Sequence, residues 1–131
     1  MESVIWDGVE YVMEECPLDS WFELTGRRPK FGPAPTAMKR GYWAAWAIEN
    51  NRLFLTSVDG YLLGGVELTL AHLFPEQSGP VPCDWFSGTL HLPHGKRRLD
   101  DYFFVWERVW TLTVESGVVT RSIDSPNPNW R

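Results

Sequence analysis

Four side chains near one another in the sequence offer the imidazole and thiol groups of a metal site: His72, Cys83, His91 and His94. A structural zinc takes four such ligands in a tetrahedron. Their spacing matches no ligand pattern, and a strand followed by a turn, with Pro93 between the last two histidines, does not converge them. The simpler reading is a surface turn carrying two histidines, so neither metal nor cofactor is expected. General acid–base chemistry would fall to Asp100-Asp101 or to Glu107. Neighbours on a strand point to opposite faces, so Asp100 and Asp101 make no paired-carboxylate site. Glu107 shares a face with Phe103 and Val105, and an inward carboxylate in apolar surroundings would suit a hydrolase that also uses a histidine. An ion pair of Glu107 with Arg108 or Arg40 is the structural alternative. Ser87, in Asp84-Trp85-Phe86-Ser87-Gly88, lacks the preceding glycine of a nucleophile elbow and reads as strand. Cys83 has no adjacent base to activate its thiol. Walker and GxGxxG loops are missing. No catalytic residue is assigned.

Recognition chemistry is better represented. The chain has eight Trp and 15% aromatic residues. Most of these rings belong to a β core, but so many are hard to hide in a small domain. Trp43, Trp85 and Trp106 are the ones expected at a rim or groove. Charge is segregated as well. Acids alone (Glu2, Asp7, Glu10, Glu14, Glu15, Asp19, Glu23) punctuate the first 26 residues, and bases alone (Arg27, Arg28, Lys30, Lys39, Arg40) follow to residue 40. A further basic run, Lys96, Arg97 and Arg98, lies in a predicted turn after Pro93-His94-Gly95. If these runs gather at one end of the sheet, they form a rim that steers an acidic partner. The alternative is that the acidic segment lies across the loops and cancels them; this suits the 27–30 run, and steering suits the 96–98 run.

The elements that must position these groups are strands. Tyr42, Ala44, Trp46 and Ile48 form an apolar face, and Asn50-Asn51 supplies a two-residue turn. Pairing across it sets Ile48 opposite Leu53 and Trp46 opposite Leu55, so the apolar faces register. The reverse face (Trp43, Ala45, Ala47, Phe54, Thr56, Val58) is also apolar, which predicts a central hairpin covered on both sides. Asp59-Gly60 reads as the next turn. Thr69 caps a helical turn ended by Pro75, and residues 75–83 read as a loop. Trp85 to Leu92 alternates, as do Tyr102, Phe104 and Trp106 and then Trp110, Leu112 and Val114, with a bulge or bend at Glu107-Arg108. Ser116-Gly117 closes a hairpin onto Val118-Val119-Thr120. Pro17 opens a short helix through Asp19 to Leu24. The expected fold is mainly β: a single antiparallel sandwich or barrel-like meander of about seven or eight strands, with one or two helical turns.

At 131 residues the chain makes one domain, with residues 1–7 and 123–131 expected as loose tails. A net charge of −5 argues against nucleic acid held by phosphate contacts. No apolar run approaches a membrane span, and the start lacks a signal peptide's pattern. Cys16 and Cys83 are therefore expected as reduced thiols in the cytoplasm. Arg40-Gly41-Tyr42, Trp46-Ala47-Ile48, Leu53-Phe54-Leu55, Leu73-Phe74-Pro75 and Asp84-Trp85-Phe86-Ser87-Gly88-Thr89-Leu90 resemble a group of small uncharacterised bacterial proteins. These share an RGYxxWxI hairpin and a DWFSGTL strand. The resemblance spans about residues 8–120 and implies a bacterial single-domain protein; it carries no activity, cofactor or site. The expected function is a non-enzymatic binding module for another protein, immunity- or adaptor-like, using Trp43, Trp85, Trp106, Lys96, Arg97 and Arg98. A carrier of a small apolar ligand in an aromatic-lined barrel, and the Glu107 hydrolase, are the alternatives.

Overall fold

Asn50 and Asn51 both take positive φ, 50° and 62°, and reverse the chain as a tight hairpin. The computed structural model describes residues 2–32 and 41–131. Its elements are β1 (Glu2–Trp6), β2 (Val9–Met13), α1 (Pro17–Thr25), β3 (Tyr42–Glu49), β4 (Arg52–Tyr61), β5 (Glu67–Leu68), α2 (Leu70–Leu73), β6 (Val81–Pro82), β7 (Gly88–Asp100), β8 (Phe103–Glu115) and β9 (Val118–Pro126). The chain is mainly β, in one large sheet of order β2-β1-β3-β4-β9-β8-β7, with β5 and β6 also on β4. The expected β3–β4 register holds: Ile48 faces Leu53 and Trp46 faces Leu55. All four are buried.

Several expectations need correction. The sheet is mixed, because β1 runs parallel to β3. Residues 2–6 are thus an inner strand, tied down by the burial of Val4 and Glu2, and not a loose tail. At the other end β9 continues to Pro126, paired with Arg108, so only the last few residues lie beyond the sheet. Asp59-Gly60 is no turn. A bulge at Ala45/Trp46 shifts the register, β4 runs straight on to Tyr61, and the reversal falls at Gly64-Gly65, both at positive φ. Gly60 is required for another reason: a Cβ there would lie 2.6 Å from the Gly41 carbonyl oxygen. The same bulge moves Val58 into the core, while Trp43 and Thr56 stay exposed on the reverse face. The hairpin is therefore covered on one side. Residues 75–83 also contain β6, which pairs with Phe54 and Leu55.

The sheet is not closed into a barrel. It curls until β2 meets β7 at a seam, where Glu14 N–H donates to the His91 carbonyl at 3.3 Å. Glu15 finishes the seam. Its carboxylate accepts the His91 backbone N–H at 2.6 Å and bonds His91 Nδ1 at 2.5 Å, replacing ladder bonds that a neighbouring strand would supply. Inside lie Trp46, Tyr42, Met13, Leu18, Leu55, Leu90, Leu92 and Leu112. The helix α1 covers this core with Leu18, Trp21 and Phe22, and its end is fixed by Gly26 in the left-handed region, whose N–H reaches the Phe22 carbonyl.

Candidate functional site

The predicted basic turn is strand. β7 continues through Lys96, Arg97 and Arg98 to Asp100, and the chain reverses at Asp101-Tyr102. Glycine at position 95 suggested a turn, but its φ of 82° serves a bulge: Gly95 and Lys96 together face Glu107, where His94 pairs with Arg108 and Arg97 with Trp106. Glu107 stabilises the bulge, its Oε1 accepting the Lys96 N–H at 3.3 Å. Beyond this point β7 and β8 form a two-stranded arm.

The root of the arm is tied to β9. Asp124 Oδ1 accepts Arg108 Nε–H at 3.1 Å and lies 2.8 Å from His94 Nε2. Desolvation pushes the Asp124 carboxyl up, but the hydrogen bonds and positive charges of His94 and Arg108 outweigh it and hold the group below the usual aspartate range. Its contribution to folding is thus present above the ordinary aspartate range and is lost as pH falls through the lowered folded value. An NMR titration of the Asp124 carboxyl should show the depressed midpoint, and Arg108→Ala should move it upward. A midpoint unmoved by that substitution would deny the pairing.

The tip is different in kind. Tyr102 is 94% exposed, Phe103 75%, Leu99 63% and Phe104 53%. Side chains sort by pleat: Leu99 pairs with Phe104 and Arg97 with Trp106 on one face, Arg98 with Val105 and Asp100 with Phe103 on the other. The Arg97 guanidinium lies 4.4 Å from the Phe104 ring centroid and 5.6 Å from that of Trp106. Arg98 lies over Trp130 at 5.0 Å and donates to the Arg131 carbonyl. Among the described residues Lys96, Arg97, Arg98, Asp100 and Asp101 make no ion pair. Trp106 and Arg97 therefore share one face of the arm, and Arg98 lies on the other. Composition pointed to them; the exposed Leu99, Tyr102, Phe103 and Phe104 were missed, because alternating aromatics look the same in a core strand and a projecting one.

The remaining expected residues fall elsewhere. Trp43 rims an open depression of about 370 Å³ with Glu2, Ser3, Ala44, Ala45 and Asp59. One ring on an open hollow is not an aromatic-lined barrel cavity. Trp85 is a packing residue: half-buried, it stacks on Phe74 and donates Nε1–H to the Pro17 carbonyl at 2.8 Å. Its neighbours form a clasp around the β8–β9 turn. Ser87 Oγ accepts the Ser116 N–H, and the Phe86 carbonyl accepts that of Gly117. Arg28 is met by Asp19 at 3.3 Å and lies over Phe22 and Phe31, whereas Lys39 and Arg40 lie outside the described residues.

The four metal candidates have separate partners. His72 Nδ1 completes the cap of α2 with Thr69, and His94 meets Asp124. Cys83 is buried, and burial raises its thiol far above the ordinary range. His91 joins Glu14 and Glu15, with one ligand atom of each within 4.8 Å of the others. Of these, the Glu15 carboxylate is bonded to His91, and Glu14 meets His91 through its backbone N–H. Glu107 bonds Lys96, and among the described residues no hydrogen bond joins it to a histidine. Among the described residues no helix is long and apolar enough to cross a membrane. Comparison of the chain with protein-family models, with curated proteins and with solved structures finds no match.

Proposed function

We propose that this chain is a non-enzymatic binding module that engages another protein through the β7–β8 arm. The observation that carries this reading is the exposure of Leu99, Tyr102, Phe103 and Phe104 on one projecting ribbon beside unpaired Arg97. Aromatic and arginine side chains are the groups that dominate interface energetics, and contiguous apolar exposure of this kind is unfavourable in a permanently solvated surface. The Lys96–Arg98 run favours an acidic partner and speeds its encounter. Neither Cys16 nor Cys83 is part of a disulfide, which accords with a cytoplasmic setting. An immunity- or adaptor-like role fits a small acidic single domain by analogy.

The test is photo-crosslinking from position 103, compared with Thr56 on the exposed side of β4, in the native host. A heterologous adduct specific to position 103 is expected. Combined Tyr102→Ser and Phe103→Ser should weaken binding of that protein by roughly thirtyfold or more, with folding stability within about 0.5 kcal/mol of the parent. Equal adducts from both positions, or full binding by the doubly substituted arm, would overturn the reading.

A further inference from the structure

We infer that the outer edge of β7 pairs with the same edge of a second copy of this chain, antiparallel and about a two-fold axis at Leu99. The inference rests on the arm being the contact surface, and it names the partner of that edge. β7 ends the strand order of the sheet. The β1–β2 hairpin lies beside it at His91 and His94, through Glu14, Glu15 and Tyr11, while Leu99 and Asp100 are exposed. Asp100 and Phe103 close a two-residue turn, and such a closing pair exchanges its own amide and carbonyl bonds. Alternation then turns the N–H and C=O of Arg98 and Asp100 toward β8, and those of Arg97 and Leu99 outward. The outward groups are a template for another strand.

The sequence of that edge fits itself. It reads Lys96-Arg97-Arg98-Leu99-Asp100-Asp101, cations on one side of a leucine and anions on the other. With the axis at Leu99, the two leucines face each other and exchange two backbone hydrogen bonds. Arg98 then stands opposite Asp100 of the second copy, a pair that occurs twice, and β7 ends there because Asp101 turns away at φ 54°. Opposite charges directly across an antiparallel pair attract, and like charges repel. The pattern therefore selects one register. An axis moved to Arg98 sets arginine on arginine, and parallel pairing sets like on like along the whole edge. Charges on an edge commonly prevent pairing; here Arg98 and Asp100 flank Leu99 so that one arrangement matches both. Arg98 is already held extended over Trp130, which lowers the entropy lost when it meets a carboxylate. The Leu99–Phe104–Trp106 faces of the two arms become continuous, doubling the aromatic surface offered to another protein.

Sedimentation velocity over a concentration series up to the solubility limit tests this. The parent chain should form a dimer. Arg98→Asp and Asp100→Arg should each weaken it roughly tenfold or more, since each replaces two attractive pairs by two repulsive ones. An equimolar mixture of the two variants should dimerise again, because each chain then carries the complement of the other at both positions. That rescue also shows that both variants are folded. A parent chain monomeric throughout, a dimer indifferent to both substitutions, or a mixture no better than its components would overturn the inference. A monomer that still crosslinks to another protein from position 103 overturns self-pairing and leaves the binding-module reading standing. A dimer that obeys the charge swaps, in a chain giving no heterologous adduct, supports self-pairing and overturns that reading.

Discussion

Trp46→Ala is expected to cost about 5 kcal/mol of folding stability, comparable to the whole stability of many domains. The ring is 1% exposed, central in β3 between β1 and β4, and opposite Leu55. Removing a buried indole loses its transfer free energy and leaves a cavity that a sheet, stiffened by ladders on both sides, collapses into poorly; that accounts for about 3–5 kcal/mol. A second loss is polar. Trp46 Nε1–H donates at 2.8 Å to Oε1 of Glu2, a buried carboxylate in the parallel neighbour β1, and depriving a buried acceptor of a donor adds about 1–3 kcal/mol. Urea midpoints measure the total. Trp46→Phe should fall between, keeping most of the packing and losing the donor. Adding Glu2→Gln to Trp46→Ala should recover part of the loss, since a neutral amide is cheaper to bury than a carboxylate. A Trp46→Ala chain within about 1 kcal/mol of the parent would show that the indole does not fill the core.

The β3–β4 register was legible because Asn50-Asn51 fixes the loop length and the apolar period of two does the rest. Ser116-Gly117 and the Thr69 cap were legible for the same reason: the chemistry of a tight turn or cap is local. One equally local signal went unread. Asp7-Gly8, both at positive φ, closes β1 onto β2 at the edge of the segment expected as a loose tail. What holds β1 is not local at all. It is the parallel pairing with β3 and the bond from Trp46 to Glu2, and neither leaves a periodicity in the first six residues.

Bulges account for the other differences. One extra residue in β4, Thr56, opposite the Ala45/Trp46 step, carries Val58 to the core side and lets β4 run past Asp59-Gly60, and another at Gly95-Lys96 turns a predicted loop into strand. A period-two reading has no means of placing such a residue. For the candidate site, type and charge were legible at Trp106, Arg97 and Arg98. Whether a run of aromatics is core or surface depends on how far its hairpin outreaches the sheet, which is settled by the length of β9 and by where the seam with β2 stops. Trp85 illustrates the converse. Its polar atom finds the Pro17 carbonyl 68 residues away in sequence, so a ring expected at a binding rim is part of the packing under α1.

The clasp around the β8–β9 turn yields the other large effect. Gly117→Ala is expected to destabilise the fold by about 3–5 kcal/mol, from two sources that a companion substitution separates. Gly117 has φ +81°, where an L side chain costs about 1–2 kcal/mol. It is also enclosed: a Cβ would stand 2.6 Å from the Cys83 carbonyl oxygen and 3.0 Å from its carbon, both backbone atoms. The chain has to give way there, and it is stitched on both sides. Gly117 N–H donates to the Phe86 carbonyl at 2.9 Å and its own carbonyl accepts Leu53 N–H at 2.8 Å, while Cys83 N–H is bound to the Leu53 carbonyl. Displacing these segments weakens several buried backbone bonds at about 1 kcal/mol each. Gly8 is the control, with φ +75° at the β1–β2 turn and nothing within 4 Å of the added carbon. Gly8→Ala should therefore cost only the conformational part, about 1–2 kcal/mol. Unfolding midpoints for the two alanine variants measure the difference. If they coincide, the Cys83–Gly88 segment does not press on the β8–β9 turn, and Phe86 and Ser87 do not hold that turn in place.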